Sequence, residues 1–263
     1  MRITVLVENE PIEGLKAAHG LSLHIELENR RLLFDVGPDD TLFHNAETLG
    51  IDLTNVDTVI ISHGHYDHGG ALEAFLSLNR TAKVYIQRKA FLLHESRTTP
   101  PYRNIGLNPA LMNHPQVILL DGDFTLDDTL SLFTVTDRSL CPSTANSNLY
   151  EEGVPDPFVH EQNLLIRDET PVLLMGCGHT GILNILQKAP MQPRVCIGGL
   201  HLYSPARNQT VSTALMDEIA AQLAAYPDLH IYTGHCTGQE ACDYLSRALP
   251  GLRYLHGGES LTL

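Results

Sequence analysis

Short apolar runs of β character alternate along this 263-residue chain with amphipathic helical stretches, and that alternation is its strongest constraint on fold. Runs of β type occur at 3–7, 21–27, 31–34, 58–62, 83–87 and 117–120, then at 132–136, 163–166, 171–175, 194–197, 230–233 and 253–255. Apolar residues at three-and-four spacing predict helices over 41–49, 70–78, 181–188, 213–225 and 239–248. Each such helix must bury its apolar stripe, and sheets are the partners on offer. The early strands follow one another hairpin-fashion through a turn at Glu28–Arg30, whereas the later ones alternate with helices, so the sheets should be mixed. The expected class is α/β, with two mixed β-sheets flanked by helices.

Two stretches break the rhythm, 95–115 and 137–161, both rich in Pro, Asn and Ser. Loops of this length in a compact domain are expected to act as lids, which gives Arg97, Tyr102, Arg103 and Arg138 a reason to be there. No repeat, low-complexity tract or linker divides the chain, so a single domain over 1–263 with lid-like insertions is expected. Lys and Arg number 17 against 31 Asp and Glu, leaving −14 with His neutral. Such a surface repels nucleic acid and anionic lipid, and a small-molecule substrate becomes the expectation. The apolar run of MRITVLVENE stops at Glu8, far short of a signal segment or a membrane span, which predicts a cytoplasmic protein. Cys141, Cys177, Cys196, Cys236 and Cys242 form no CxxC pair and read as reduced thiols. The oligomeric state is left open by the sequence.

The stretch VIISHGHYDHGGAL carries the most chemistry. An apolar strand ends at Ser62 and delivers His63, His65, Asp67 and His68 before Gly69 and Gly70 open a helix. Imidazoles and a carboxylate are borderline donors suited to Zn, Mn or Fe, and a turn after a strand can aim them into one cleft. His63 and His65 can address one ion while Asp67 and His68 address a second, about 3.5–4 Å away as in two-metal hydrolases. One loop cannot complete two coordination shells. Further donors at strand ends are Cys177 and His179 in PVLLMGCGHTG, His235 and Cys236 in HIYTGHCTG, and His160 in FVHEQNLLI.

The HxHxDH stretch, the LLFDVG segment with Asp35 and the strand-end histidines together resemble the metallo-β-lactamase fold superfamily, metal-dependent hydrolases built as a four-layer αββα sandwich. The resemblance covers nearly the whole chain. Within it, HGLSLHIE, HNAETLGID, HEQNLLI, GCGHTGILNIL, IGGLHL and TGHCTG resemble the subgroup of 7,8-dihydropterin-6-methyl-4-(β-D-ribofuranosyl)aminobenzene-5′-phosphate synthase. The resemblance implies that His63, His65 and a third histidine hold a first ion, and that Asp67, His68 and His235 hold a second. Where the superfamily usually has a bridging Asp, this chain has Gly176-Cys177, so the Cys177 thiolate or His179 would complete the shell. His160 competes with His179 for the third-histidine place. Asp35 would support the histidine loop from behind without touching metal.

Two divalent ions, Zn first and Mn or Fe also compatible, imply hydrolysis by a metal-bound hydroxide, with Asp67 orienting it. His201 is implied as a substrate contact. Arg103, with the other lid arginines, suits a phosphate ester, in keeping with the subgroup's phosphorylated, pterin-like substrate. HGH in place of the H-x-E of the family's diiron flavoproteins favours hydrolysis over redox chemistry. An iron-containing redox enzyme of the same fold and a metal-loaded binding or sensory protein without turnover are the alternatives.

Overall fold

The computed structural model describes residues 1–263. The chain forms two compact units, one of Met1–Leu92, Ile105–Asp121 and Leu255–Leu263, the other of Leu93–Asn104 and Gly122–Tyr254.

The first unit is built on a seven-stranded sheet in the order Ser260–Thr262, Arg2–Val7, Ser22–Leu27, Arg30–Phe34, Thr58–Ile60, Lys83–Gln87, Val117–Leu120. The first three junctions are antiparallel and the last three parallel. Parallel neighbours need crossovers, and helices Thr41–Thr48 and Leu72–Leu78 lie in the first two of them. Leu42, Leu72 and Phe75 of these helices bury against Leu33, Val59 and Val84 of the strands. Phe75 is fully buried, and its truncation to Ala would cost about 3–5 kcal/mol. Asn45 also sits in this core without penalty, because its Nδ2 donates to the carbonyls of Leu6 and Lys16 and its Oδ1 accepts from Lys16 N.

The strand expected over 58–62 ends at Ile60. Ile61 N still reaches the carbonyl of Tyr85, but Ser62 N is captured by the Asp35 carboxylate at 2.7 Å, and the chain leaves the sheet there. A helical turn, Tyr66–Gly69, precedes Leu72–Leu78. Gly70 is required between them, since a Cβ there would lie 2.3 Å from the Pro38 carbonyl oxygen.

The second unit repeats the three-plus-three pattern. Its main sheet runs Leu252–Tyr254, His230–Thr233, Val195–Ile197, Val172–Leu174, Gln162–Ile166, Leu130–Thr134, Phe124–Thr125, parallel at the first three junctions and antiparallel at the rest. Helices Ile182–Lys188, Thr213–Leu223 and Gln239–Ser246 bury Ile185, Ile219 and Leu245 with Leu173, Cys196 and Ile231 of the strands. The two stretches expected as lids contain paired structure. Val154–Pro155, Leu149–Glu151, His94–Ser96 and Arg103–Asn104 form a four-stranded antiparallel sheet within the second unit. Residues 105–115 belong instead to the first unit, where Leu107 and Leu111 are buried. No helix is long and apolar enough to cross a membrane.

Candidate metal centre

In the first unit His63, His65, Asp67 and His68 are all buried. The His63 ring centroid lies 4.6 Å from that of His65 and 4.1 Å from that of His68. Asp67 Oδ2 is 3.8 Å from His68 Nε2 and 3.6 Å from the Nε2 of His19, a half-exposed histidine that the sequence reading did not single out.

Asp35, fully buried at φ 61°, organises this turn. Its Oδ1 accepts from Ser62 N at 2.7 Å, and its Oδ2 accepts from Ser62 Oγ at 2.7 Å and from His68 Nδ1 at 2.6 Å. A carboxylate can only accept, so His68 carries its proton on Nδ1 and turns the Nε2 lone pair outward. The Ser62 hydroxyl proton is spent on Asp35, so the 2.8 Å contact between Ser62 Oγ and His63 Nδ1 requires Nδ1–H there as well. Two adjacent imidazoles are thereby fixed in the tautomer that offers Nε2 to an electrophile.

In the second unit the ligand atoms of Cys177, His179 and His201 lie within 4.8 Å of one another, and so do those of Cys177 and His235. Here too a tautomer is set. Asn146 Nδ2 donates to the His179 carbonyl at 2.9 Å, which turns Asn146 Oδ1 toward His179 Nδ1, also at 2.9 Å, and leaves Nε2 as the lone-pair nitrogen. Glu161 secures the same loop: its carboxylate accepts from His179 N at 2.7 Å, Thr180 N at 2.9 Å and Thr180 Oγ1 at 2.6 Å. Burial pushes the Glu161 carboxyl up from its ordinary value against those donors. Cys236 is buried and donates to the Cys177 carbonyl at 3.5 Å. A Cβ on Gly199 would stand 2.3 Å from its sulfur, so that glycine is what lets the two loops approach. His201 and His235 have φ of 46° and 47°, backbone strain of the kind that collects at functional sites.

A second cluster in this unit escaped the sequence reading except for His160. Asp156 Oδ2 lies 3.2 Å from both His94 Nδ1 and His160 Nε2, all three side chains being fully buried. Burial works against charge on Asp156, but the bonds from His160 and His94 and the Phe158 backbone hold its carboxyl well below the usual range. Burial lowers the His160 pKa. The available signal for Asp156 was its i, i+4 spacing to His160; His94 had none. Phe158 stacks on His179 with centroids 4.5 Å apart, and the Arg138 guanidinium lies 5.5 Å from the centroid of the same Phe158 ring. Arg138, Asn146, Leu149, Phe158 and His179 line a cavity of about 310 Å³. Arg103 is exposed and does not line it. Arg97 is held by Glu95 and by the rings of Tyr102 and Tyr150.

Residues 18–143 match the model of the metallo-beta-lactamase superfamily. The structure superposes on that of Tm1679, described as a metal-dependent hydrolase of the beta-lactamase superfamily, with a TM-score of 0.82 and 27% identity over 100% of this chain and 99% of the other. The chain has the metallo-β-lactamase fold. Two proteins of Methanocaldococcus jannaschii are each 26% identical to it. The uncharacterized protein MJ0448 aligns over 98% of both chains. The other, 7,8-dihydropterin-6-methyl-4-(beta-D-ribofuranosyl)-aminobenzene-5'-phosphate synthase, aligns over 92% of this chain and 88% of its own.

A divalent metal, which the fold implies, suits this donor set. His63, His68 and His179 each carry the ring proton on Nδ1, held by an oxygen behind them, the tautomer in which Nε2 is the ligand atom of a metal-binding histidine. Imidazoles joined by a carboxylate and a thiol are donors for Zn, Mn or Fe.

Proposed function

We propose that this chain is a metal-dependent hydrolase that acts on a small, phosphorylated or pterin-like molecule. His63, His65, Asp67 and His68 of the first unit, with His179 and His235 of the second, would hold up to two divalent ions, Zn first; Cys177 and His160 are the further donors. The observation that carries the reading is the shared tautomer of His63, His68 and His179, which the linked pair Asp35 and Ser62 sets in the first unit and Asn146 sets in the second.

A bound divalent ion would lower the pKa of water from about 15.7 to about 7 and polarise a carbonyl or phosphoryl oxygen. The residues of the chain do the rest. Asp67 would accept and orient a proton of the attacking water, while Asp35 keeps the imidazole of His68 in place. Arg138, on the wall of the cavity beside His179, supplies a fixed positive charge for an anionic substrate group. His201 and Arg103 are assigned to substrate contact. The relative named as a pterin ribofuranosyl-aminobenzene phosphate synthase supports the substrate class.

Elemental analysis of protein purified without chelator and supplemented with Zn or Mn tests the centre. Between one and two equivalents per chain are expected, and none tightly held in the His63→Ala, His65→Ala double variant; less than about half an equivalent in the unsubstituted protein overturns the reading. A panel of phosphodiester, thioester, lactone and lactam reporters then separates hydrolysis from metal binding without turnover.

A further inference from the structure

None of the candidate metal ligands lines a cavity of about 330 Å³ in the first unit. Its floor is a polar face of the sheet near the chain ends. The strand register sets Ser260, Thr4 and His24 side by side in one row and Arg2, Glu26 and Arg31 in the next. Leu49 and Ile51, just beyond the helix Thr41–Thr48, form an apolar wall.

A count of donors and acceptors shows what this floor lacks. Its acceptors are engaged: Glu26 by Arg31 Nε at 3.2 Å, and Asp52, on the rim, by Thr54 N, Thr54 Oγ1 and Asn55 Nδ2. The Thr4 and Ser260 hydroxyls bond each other at 2.8 Å. The donors are in surplus. Arg31 is fixed by NH1 bonds to the Leu27 and Arg30 carbonyls, and its NH2 group donates to nothing in the chain. Arg2 makes a single long bond, 3.4 Å to Ser260 Oγ. His24 is 4% exposed, yet its Nδ1 has no hydrogen-bond partner within the protein. Burial lowers the His24 pKa, so at neutral pH the ring is uncharged and offers one N–H and one lone pair. The unused NH2 donors of the fixed Arg31 guanidinium, with Arg2 beside them across the Glu26 pair, point to a ligand that brings acceptors.

We propose that this cavity is a binding site for a small organic oxyanion, a metabolite with a phosphate or carboxylate head and a compact apolar body. Arg2 and Arg31 grip the head, the His24 ring lies in the floor beside them, and Leu49 and Ile51 cover the body. The volume is at the small end of ligand sites and suits a small occupant. In a chain of net charge −14, an anion needs such a local pair of cations to settle at all.

Imidazole-selective ¹H–¹⁵N spectra of the full-length protein test this, with the His24 resonance assigned by its loss in His24→Gln. Phenyl phosphate and benzoate are titrated separately, with phenol as the neutral counterpart. A saturable His24 shift with phenyl phosphate, benzoate or both is expected and identifies the head group, while phenol should leave the resonance in place. Arg2→Gln, at an exposed position where the fold tolerates change, should weaken the binding about tenfold or more. Shifts confined to other histidines, a His24 shift matched by phenol, or one indifferent to Arg2→Gln would overturn the site. Because the readout is His24 itself, the outcome is independent of metal loading and turnover.

Discussion

In the first unit the candidate ligands fall within six consecutive residues, His63 to His68, and a single carboxylate, Asp35, braces both the turn and one of its imidazoles. In the second they come from separate segments: His94, then Asp156 with His160, Cys177 with His179, His201 and His235. Where ligands are contiguous, the backbone of one turn sets their spacing and one buried group holds the whole. Where they are dispersed, each loop needs its own fastening, and Asn146, Glu161, Asp156 and the close approach at Gly199 divide that work. The first arrangement concentrates risk on one residue, and the second distributes it.

The largest effect should come from removing a ligand, and the dispersed half offers the sharper choice, between His179 and Cys177. His179 has a tautomer fastened by Asn146 Oδ1, which directs its Nε2 lone pair toward an ion. His179→Ala is expected to lose most of the bound metal, and Cys177→Ser to lose little. Cobalt-substituted protein provides the check. An intense thiolate charge-transfer band that disappears in Cys177→Ser, together with full metal retention in His179→Ala, would reverse the assignment.

How legible these halves are in the sequence follows from the same contrast. The HxHxDH run is visible because its residues are adjacent, and the five helices are visible because three-and-four periodicity needs only local sequence; they occur at Thr41–Thr48, Leu72–Leu78, Ile182–Lys188, Thr213–Leu223 and Gln239–Ser246. The four-stranded sheet was hidden. Strands of two or three residues have no period to detect, and pairs such as Leu149 with Ser96 or Glu151 with His94 are settled only in the folded chain. The same holds for Ser260–Thr262, which joins Arg2–Val7 from the opposite end of the chain. His94 opens one of these hidden strands and Asp156 follows another, which is why the cluster they form with His160 could not be read in advance.

A smaller but still large effect is expected from Asp35→Ala. The change strands Ser62 N–H, Ser62 O–H and His68 Nδ1–H in a fully buried site, and should cost about 3–5 kcal/mol of stability in metal-free protein. Metal affinity should fall about 10–100-fold, because His68 loses its fixed tautomer and His63 loses the serine that fixes its own. Denaturant titration with chelator present, followed by metal titration of the folded fraction, separates the two losses. If affinity holds while stability falls, Asp35 braces the turn alone and the contrast between the halves narrows.

The smallest effect should come from Asn146, one fastening among several. It is only partly buried, so Asn146→Ala should cost about 1 kcal/mol of stability, and Glu161 would still hold the loop through His179 N and Thr180. Metal affinity should drop by no more than about tenfold, below the Asp35 effect, since the His179 ring also keeps its stack on Phe158. Asn146→Asp sharpens the test, for it retains the acceptor facing His179 Nδ1 and loses only the donor to the His179 carbonyl. A carboxylate there makes the imidazole more basic, so Asn146→Asp should bind metal at least as tightly as the unsubstituted chain while Asn146→Ala binds it less well. Equal losses in both variants would mean that Asn146 acts through the backbone contact alone, and that the tautomer of His179 is set by something other than its side-chain oxygen.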